Sequence, residues 1–324
     1  MKKIIITTIF TMLFITSFIL IKRMQKSTGS IAYCIGILQT ASHPALDAAR
    51  DGFMTQLKTK MSNNVEFIIY NAQGSITTAH SIAQRFHTNN KFSGFFSIAT
   101  PAAQAIGTIE KERPIFIAAV TDPQALGLLN ATTNICGVKD MINVRAEIDM
   151  LRQLIPKAKT VGLLYTAGEV NSLSLVKIMR AELEVSGLAV IDFAVSGELD
   201  LPTITTLACR KVDVILAPTD NVIASSITLI SSITLAKKKP FIVSDNMLVQ
   251  LGALAARGVN YDQSGKQAAD IAYAVLVEGK KPYDLPIEQA QSNAIYINKT
   301  ILNALELQIP DTLLPNVILV ETKD

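Results

Sequence analysis

Side-chain oxygens gather at five places where a short apolar run gives way to a helix-like one: "SIATPAAQ", "AAVTDPQ", "LLYTAGEVNS", "LAPTDN" and "IVSDN". They bring Thr100, Thr121 with Asp122, Glu169 with Asn171 and Ser172, Asp220 with Asn221, and Ser244 with Asp245. Taken singly, each is an ordinary helix or turn start. Thr100 is expected to cap a helix with Pro101 at its first position, and Asn171 or Ser172 to cap another. Their convergence suggests more. Carboxylates at Asp122, Glu169, Asp220 and Asp245, set among the positive ends of helices, describe a cleft able to hold an ammonium and a carboxylate together.

Catalysis has less support. The histidines are His43, His80 and His87, the last two in a polar stretch where solvated surface positions are expected. The chain carries no H-E-x-x-H, G-x-S-x-G or Walker loop. Cys34, Cys136 and Cys209 are widely spaced and sit in or beside apolar runs, so buried thiols are expected, with neither a disulfide framework nor a metal site. No catalytic residue, metal or cofactor is assigned. Glu169, Asp220 and Asp245 leave one alternative open, a two-lobed α/β enzyme acting on a small polar substrate.

These oxygens need strands and helices to carry them. "IAYCIGIL" precedes a helical stretch from Pro44 to Lys60, "VEFIIYNA" one from Ile76 to Thr88, and "GFFSIA" one from Ala102 to Lys111; "PIFIAAV" leads through a turn to "NICGV". A second series then begins: "TVGLLYT" with Ser172 to Ser186, "LAVIDFAV" with Leu201 to Lys211, "VDVILAPT" with Asn221 to Lys237, and "PFIVSD" with Met247 to Leu251. Strand and helix in alternation predict right-handed βαβ units on parallel sheets. Two series predict an α/β protein of two doubly wound lobes, divided near the polar stretch Lys139 to Val144. One more helix, Gln263 to Glu278, is closed by Gly279 and followed by the strand "AIYIN".

The 324 residues, 49% hydrophobic and 18% charged, suit two domains. Lys and Arg number 30 against 27 Asp and Glu, which gives no basic field, and nucleic acid is not an expected partner. The N-terminus differs from the rest. An uncharged run from Ile4 to Ile21 lies between Lys2, Lys3 and Lys22, Arg23; as a helix it would extend about 27 Å, close to a hydrocarbon core. With no small-x-small cleavage site after it, residues 1–29 are expected to be a signal anchor attaching the chain to a membrane, a removed signal peptide being the alternative.

"HPALDAARDGF", "YNAQG", "IATPAAQA", "VTDPQALGL", "GLLYTAGEVNS", "APTDNVIASS" and "YDQSGKQAADIA" occur in an order and spacing that resemble the ABC transporter substrate-binding proteins that include tryptophan- and tyrosine-type binding proteins. The resemblance runs from about Ile31 to Pro310. It implies a periplasmic-binding-protein type I fold whose lobes are joined by three crossings, with 30–142 and 262–282 in the first lobe and 143–261 and 283–324 in the second. It also implies a monomeric, extracytoplasmic protein that binds an amino-acid-like ligand by lobe closure and delivers it to ABC permease subunits. On matching positions, Thr100, Asn171 and Ser172 look like a carboxylate site, Glu169, Asp220 and Asp245 like ammonium partners, and Gln39 and His43 like groups on the rim. Tyr33, Tyr70, Tyr165, Phe53 and Tyr261 are candidate cleft aromatics, there being no Trp. A ligand-sensing receptor ectodomain on the same fold is the other alternative.

Overall fold

A computed structural model describes residues 32–127, 129–290 and 294–322. The apolar run Ile4 to Ile21, on which the anchor expectation rests, lies outside the described residues. None of the helices among the described residues is long and apolar enough to cross a membrane.

The first lobe runs β1 (Tyr33–Gln39), α1 (Pro44–Lys60), β2 (Val65–Asn71), α2 (Ile76–His87), β3 (Gly94–Ile98), α3 (Thr100–Ile109), β4 (Ile115–Val120) and β5 (Ile135–Lys139). Its strands pair in parallel in the order β2-β1-β3-β4-β5. β3 and β4 are buried along their whole length, as continuous apolar runs covered on both faces must be. Phe53 of α1 stacks on Phe96 of β3 with ring centroids 3.8 Å apart.

The second lobe repeats the plan with α4 (Val144–Leu154), β6 (Thr160–Thr166), α5 (Val170–Val185), β7 (Ala189–Val195), α6 (Leu201–Lys211), β8 (Val214–Ala217), α7 (Asn221–Ser225), α8 (Ile227–Ala236), β9 (Phe241–Val243) and β10 (Ala255–Ala256). The order β7-β6-β8-β9-β10 matches that of the first sheet. The single helix expected over Asn221 to Lys237 is therefore two, broken at Ser226, whose backbone (φ −107°, ψ 14°) leaves the helical region.

Three passages join the lobes. Residues 140–143 lead from β5 into α4. After β10 the chain returns through 257–260 to α9 (Tyr261–Leu276), which packs on α1 of the first lobe. β11 (Glu288–Gln289) then pairs with β5, so the first sheet keeps the chain beyond residue 282, where the second lobe was expected to begin. The last passage ends in β12 (Ile295–Asn298), α10 (Lys299–Ala304) and β13 (Val317–Val320), which extend the second sheet beyond β10, with β12 antiparallel to it.

The α1–α9 contact is backbone against backbone. A Cβ on Gly52 would lie 2.3 Å from the carbonyl oxygen of Asp262, and one on Gly265 would lie 2.1 Å from that of Ala49. Only hydrogen fits at either position. Gly265 is thus a packing residue rather than helix punctuation.

Candidate functional site

In both sheets the carboxyl ends of the parallel strands face the other lobe, and there the two lobes line a pocket between them. The first lobe and the passages contribute His43, Leu46, Ala99, Ala119, Thr121, Asp140 and Tyr261; the second contributes Asn171, Pro218, Thr219, Asp220, Asn221, Ala224, Asp245 and Leu248. Among the described residues no Lys or Arg lines it. Ala99 and Ala119 adopt positive φ, 74° and 57°, a strained backbone for alanine that persists where surrounding structure enforces it.

One polar cluster lies beside the passages. The Tyr261 hydroxyl donates to Asp140 Oδ2 at 2.8 Å, while Asp140 Oδ1 is buried with no partner among the described residues. Asp245, at the tip of β9, accepts the Met247 N–H through Oδ1 at 2.9 Å. Neither forms an ion pair with any described residue. Burial pushes the Asp245 carboxyl up to about 7, opposed by the Met247 bond and reinforced by Asp140. Burial also raises Asp140, against hydrogen bonds from Tyr261 and Thr121. Two buried carboxylates, Asp140 at the first passage and Asp245 from the second lobe, thus influence each other with no Lys or Arg among the described residues that line the pocket.

The second cluster surrounds α7. Asp220 caps that helix by accepting from Ile223 N–H at 3.0 Å, and also accepts Thr166 N–H, the Thr166 hydroxyl and the Ser172 hydroxyl at 2.7, 2.9 and 2.6 Å. Glu169 accepts from the amide groups of Asn171 and Asn221 and from the backbone N–H of Asn221 and Val222. Burial and neighbouring Asp220 raise the Glu169 carboxyl, while these bonds favour its ionised form. Two contacts close the lobes directly: His43 Nε2 lies 3.4 Å from Asn221 Oδ1, and the Thr121 and Thr219 hydroxyls are 3.1 Å apart.

Residues 34–319 match the model of the ABC transporter substrate-binding protein family. The chain belongs to that family. A tyrosine-binding protein of Clostridioides difficile (strain R20291) is 34% identical to it over 281 residues, covering 85% of this chain and 81% of the relative. The ABC domain of Streptococcus pneumonia in complex with L-Trp superimposes with a TM-score of 0.84 at 31% identity, over 88% of this chain and 99% of that one. The ligand-free, open structure of CD0873 from Clostridium difficile gives 0.68 at 34% identity, over 90% and 100%. Identity and coverage hardly differ between these two, so the substrate-binding protein described here holds its lobes more nearly as the tryptophan complex does.

Of the residues singled out in the sequence, His43, Asn171, Asp220, Asn221 and Asp245 line the cavity of this substrate-binding protein, and Gln39, Thr100, Pro101, Asp122, Glu169 and Ser172 do not. Gln39 is tied behind α1, donating to Ala41 O and Asp47 and accepting from Arg50. Thr100 is the first residue of α3 and Pro101 the second, and Thr100 makes no cap. The cap comes from Thr40, whose hydroxyl accepts the Ala102 N–H at 3.2 Å. Asp122 holds a turn through Ala125 N–H. Ser172 and Glu169 give their polar atoms to protein partners, which leaves them a scaffolding position behind the wall. Asn171 donates its amide nitrogen to Glu169 and to Thr219 O. Among the candidate aromatics only Tyr261 lines the cavity. Asp140 went unnoticed because it sits in the polar stretch that marks the lobe boundary; an acidic residue immediately after a strand was the available signal.

Proposed function

We propose that this substrate-binding protein captures an L-amino acid with an aromatic side chain and holds its ammonium between Asp140 and Asp245. The observation that carries the reading is a pair of buried carboxylates from opposite lobes in a cavity with no Lys or Arg. Buried charges require a partner or a proton, and an ammonium supplies the partner. The relatives support the rest of the ligand: one is named for tyrosine and another was solved with L-Trp. Leu46, Ala99, Ala119, Pro218, Ala224 and Leu248 offer its side chain an apolar wall. The N-termini of α1 and α3 point positive ends at the cavity and would receive the ligand carboxylate.

Closure follows from the same pair. Without ligand, bringing Asp140 and Asp245 together buries two like charges; with an ammonium between them the same movement forms two charge-assisted contacts. The ligand thus stabilises the closed arrangement through its differential affinity for it. Under this reading the described residues of 32–142 with 261–290, and of 143–260 with 294–322, move as the two bodies.

Members of this family are extracytoplasmic in general, and we assign this chain to a permease of the ABC type as its delivery partner, with the run Ile4 to Ile21 anchoring it at the outer face of the membrane. The test of the ligand is titration calorimetry of the soluble part with tyrosine, tryptophan and phenylalanine against 3-(4-hydroxyphenyl)propionate, which lacks the ammonium. Binding of the amino acids alone, with compaction in small-angle scattering, is expected. Equal binding of the deaminated acid would refute the assignment.

A further inference from the structure

Basic and acidic residues nearly balance over the whole chain, and that balance hides a local excess at the far end of the second lobe. β6, β8 and β9 are neighbours in the second sheet and run parallel, so their amino ends share the end of the lobe opposite the cleft. Cations precede each of them: Lys157 and Lys159 before β6, Arg210 and Lys211 before β8, and Lys237, Lys238 and Lys239 before β9. All are exposed except Lys239, which is half-buried. The segment 306–311 borders the same face, since Glu306 pairs with Lys238 at 3.5 Å and lines a surface groove together with Lys157.

Little on the protein neutralises this face. The carboxylates in those segments are Asp213, Glu306 and Asp311, three against seven cations. Asp213 accepts the backbone N–H groups of Lys159 and Thr160 and the Thr160 hydroxyl at 2.8, 2.9 and 2.9 Å, and these bonds, with Lys239 nearby, hold its carboxyl below the usual range. Among the described residues Lys238 is the one member of the seven in an ion pair, and its side chain is 74% exposed, so water screens the pair. One cation at each would complement the C-terminal ends of α6 and α8, and five remain. Lys238 also takes the left-handed position that closes α8, with φ 49°, where the end of α5 has Gly187. A lysine there bears backbone strain that glycine avoids.

We infer that this basic face docks on the anionic phospholipid headgroups of the membrane that carries the protein. Each Lys or Arg held near an anionic leaflet multiplies the attached population about fivefold. The groove beside the face, walled by Leu154, Ile155, Pro156, Leu307, Ile309 and Pro310, gives the headgroup boundary an apolar lip. A bilayer rather than a soluble polyanion is favoured by the run Ile4 to Ile21, and the inference rests on its anchoring role proposed above. The ten residues between Ile21 and Ala32 could span at most roughly 36 Å, so such an anchor keeps the start of β1 near the bilayer. β1 begins at the end of the first lobe away from the cleft, as the basic face lies at the end of the second lobe away from it. The two attachments therefore flank the cleft and lay it along the membrane, where a permease receives its ligand.

The chain has no Trp, so Gln308→Trp, at an exposed position on the groove, places a single fluorescent reporter in the full chain. In nanodiscs of phosphatidylcholine mixed with an equal part of phosphatidylglycerol, its emission is expected to move to shorter wavelength and to be quenched by brominated lipid, with neither effect in phosphatidylcholine alone. Lys211→Gln combined with Lys237→Gln should lower the ratio of docked to free protein about twentyfold, with the melting midpoint unchanged, and ~1 M salt, which shortens the screening length to about 3 Å, should abolish the response. No response in the anionic discs, or an equal one in phosphatidylcholine, would overturn the docking while the anchor stands. Response to soluble polyphosphate but not to the anionic discs would overturn the membrane as partner. Failure of the chain to co-elute with phosphatidylcholine discs would overturn the anchor, and the anionic discs would still decide the docking.

Discussion

Asp245→Asn separates a carboxylate that meets a ligand cation from one that merely ends a strand. Burial raises the parent's Asp245 to about 7, whereas pairing with an ammonium requires the ionised form. A group with a raised acid pKa holds its proton below that value, so ligand must displace the proton there and affinity is lost as pH falls through 7. One proton in competition gives a tenfold loss per pH unit, hence about a hundredfold at pH 5, or ~2.7 kcal/mol. Asparagine cannot ionise. The variant should bind more weakly than the parent at pH 8 by about 2 to 5 kcal/mol, the range for losing one partner of a buried charged contact, and should show no slope attributable to position 245. Titration calorimetry from pH 5 to 8, in two buffers of different ionisation enthalpy, reads both quantities and counts the proton released near pH 6. A parent affinity that stays level between pH 8 and 5, or a variant equal to the parent at pH 8, would refute the reasoning.

Asp220→Asn should act on the fold, because Asp220 accepts four hydrogen bonds that join β6, α5 and α7; a loss of about 2 to 3 kcal/mol in denaturant unfolding of the ligand-free protein is expected, whereas Asp245→Asn should leave that stability equal or higher. Glu147 is buried on α4 beside the Ser244 hydroxyl, 3.1 Å away, and burial raises its carboxyl to about 8. Its contribution to stability is full below the ordinary carboxylate value and is lost as pH rises through 8, at up to ~1.4 kcal/mol per unit. Melting curves of the parent should therefore fall relative to Glu147→Gln between pH 6 and 9, and parallel curves would count against the assignment. Gly265→Ala should destabilise by about 1 to 3 kcal/mol through overpacking, read by the same melts; an unchanged midpoint would show that α1 and α9 can part.

The strand tips were legible because a buried β-run ending in Thr, Asp, Asn or Ser is visible in one dimension. Asp220, Asn221, Asn171 and Asp245 were found that way. The direction in which a tip points its groups was not legible. Thr100 reads as a cap beside Pro101, yet the oxygen that caps α3 belongs to Thr40, brought there by the pairing of β1 with β3. Asp140 reads as boundary because its neighbours are polar, and its function depends on Tyr261, 121 residues away in sequence. Strands as short as Ala255–Ala256 and Glu288–Gln289 carry no periodic signal; their places are set by neighbouring strands.

The glycines that let α1 and α9 touch limit how this protein can change its ligand preference over evolutionary time. α1 begins next to His43 and α9 begins with Tyr261, so the contact at Gly52 and Gly265 fixes the spacing of two cavity walls at the level of the main chain. Nothing larger than a hydrogen can be inserted there, and widening the site from that side would require both helices to move at once. Drift toward a bulkier or differently shaped ligand has easier routes across the cleft, where Pro218 after β8, Ala224 in α7 and Leu248 after β9 are side-chain contacts that can vary one at a time. Descendants of this sequence with altered specificity should therefore keep both glycines and differ in the second lobe.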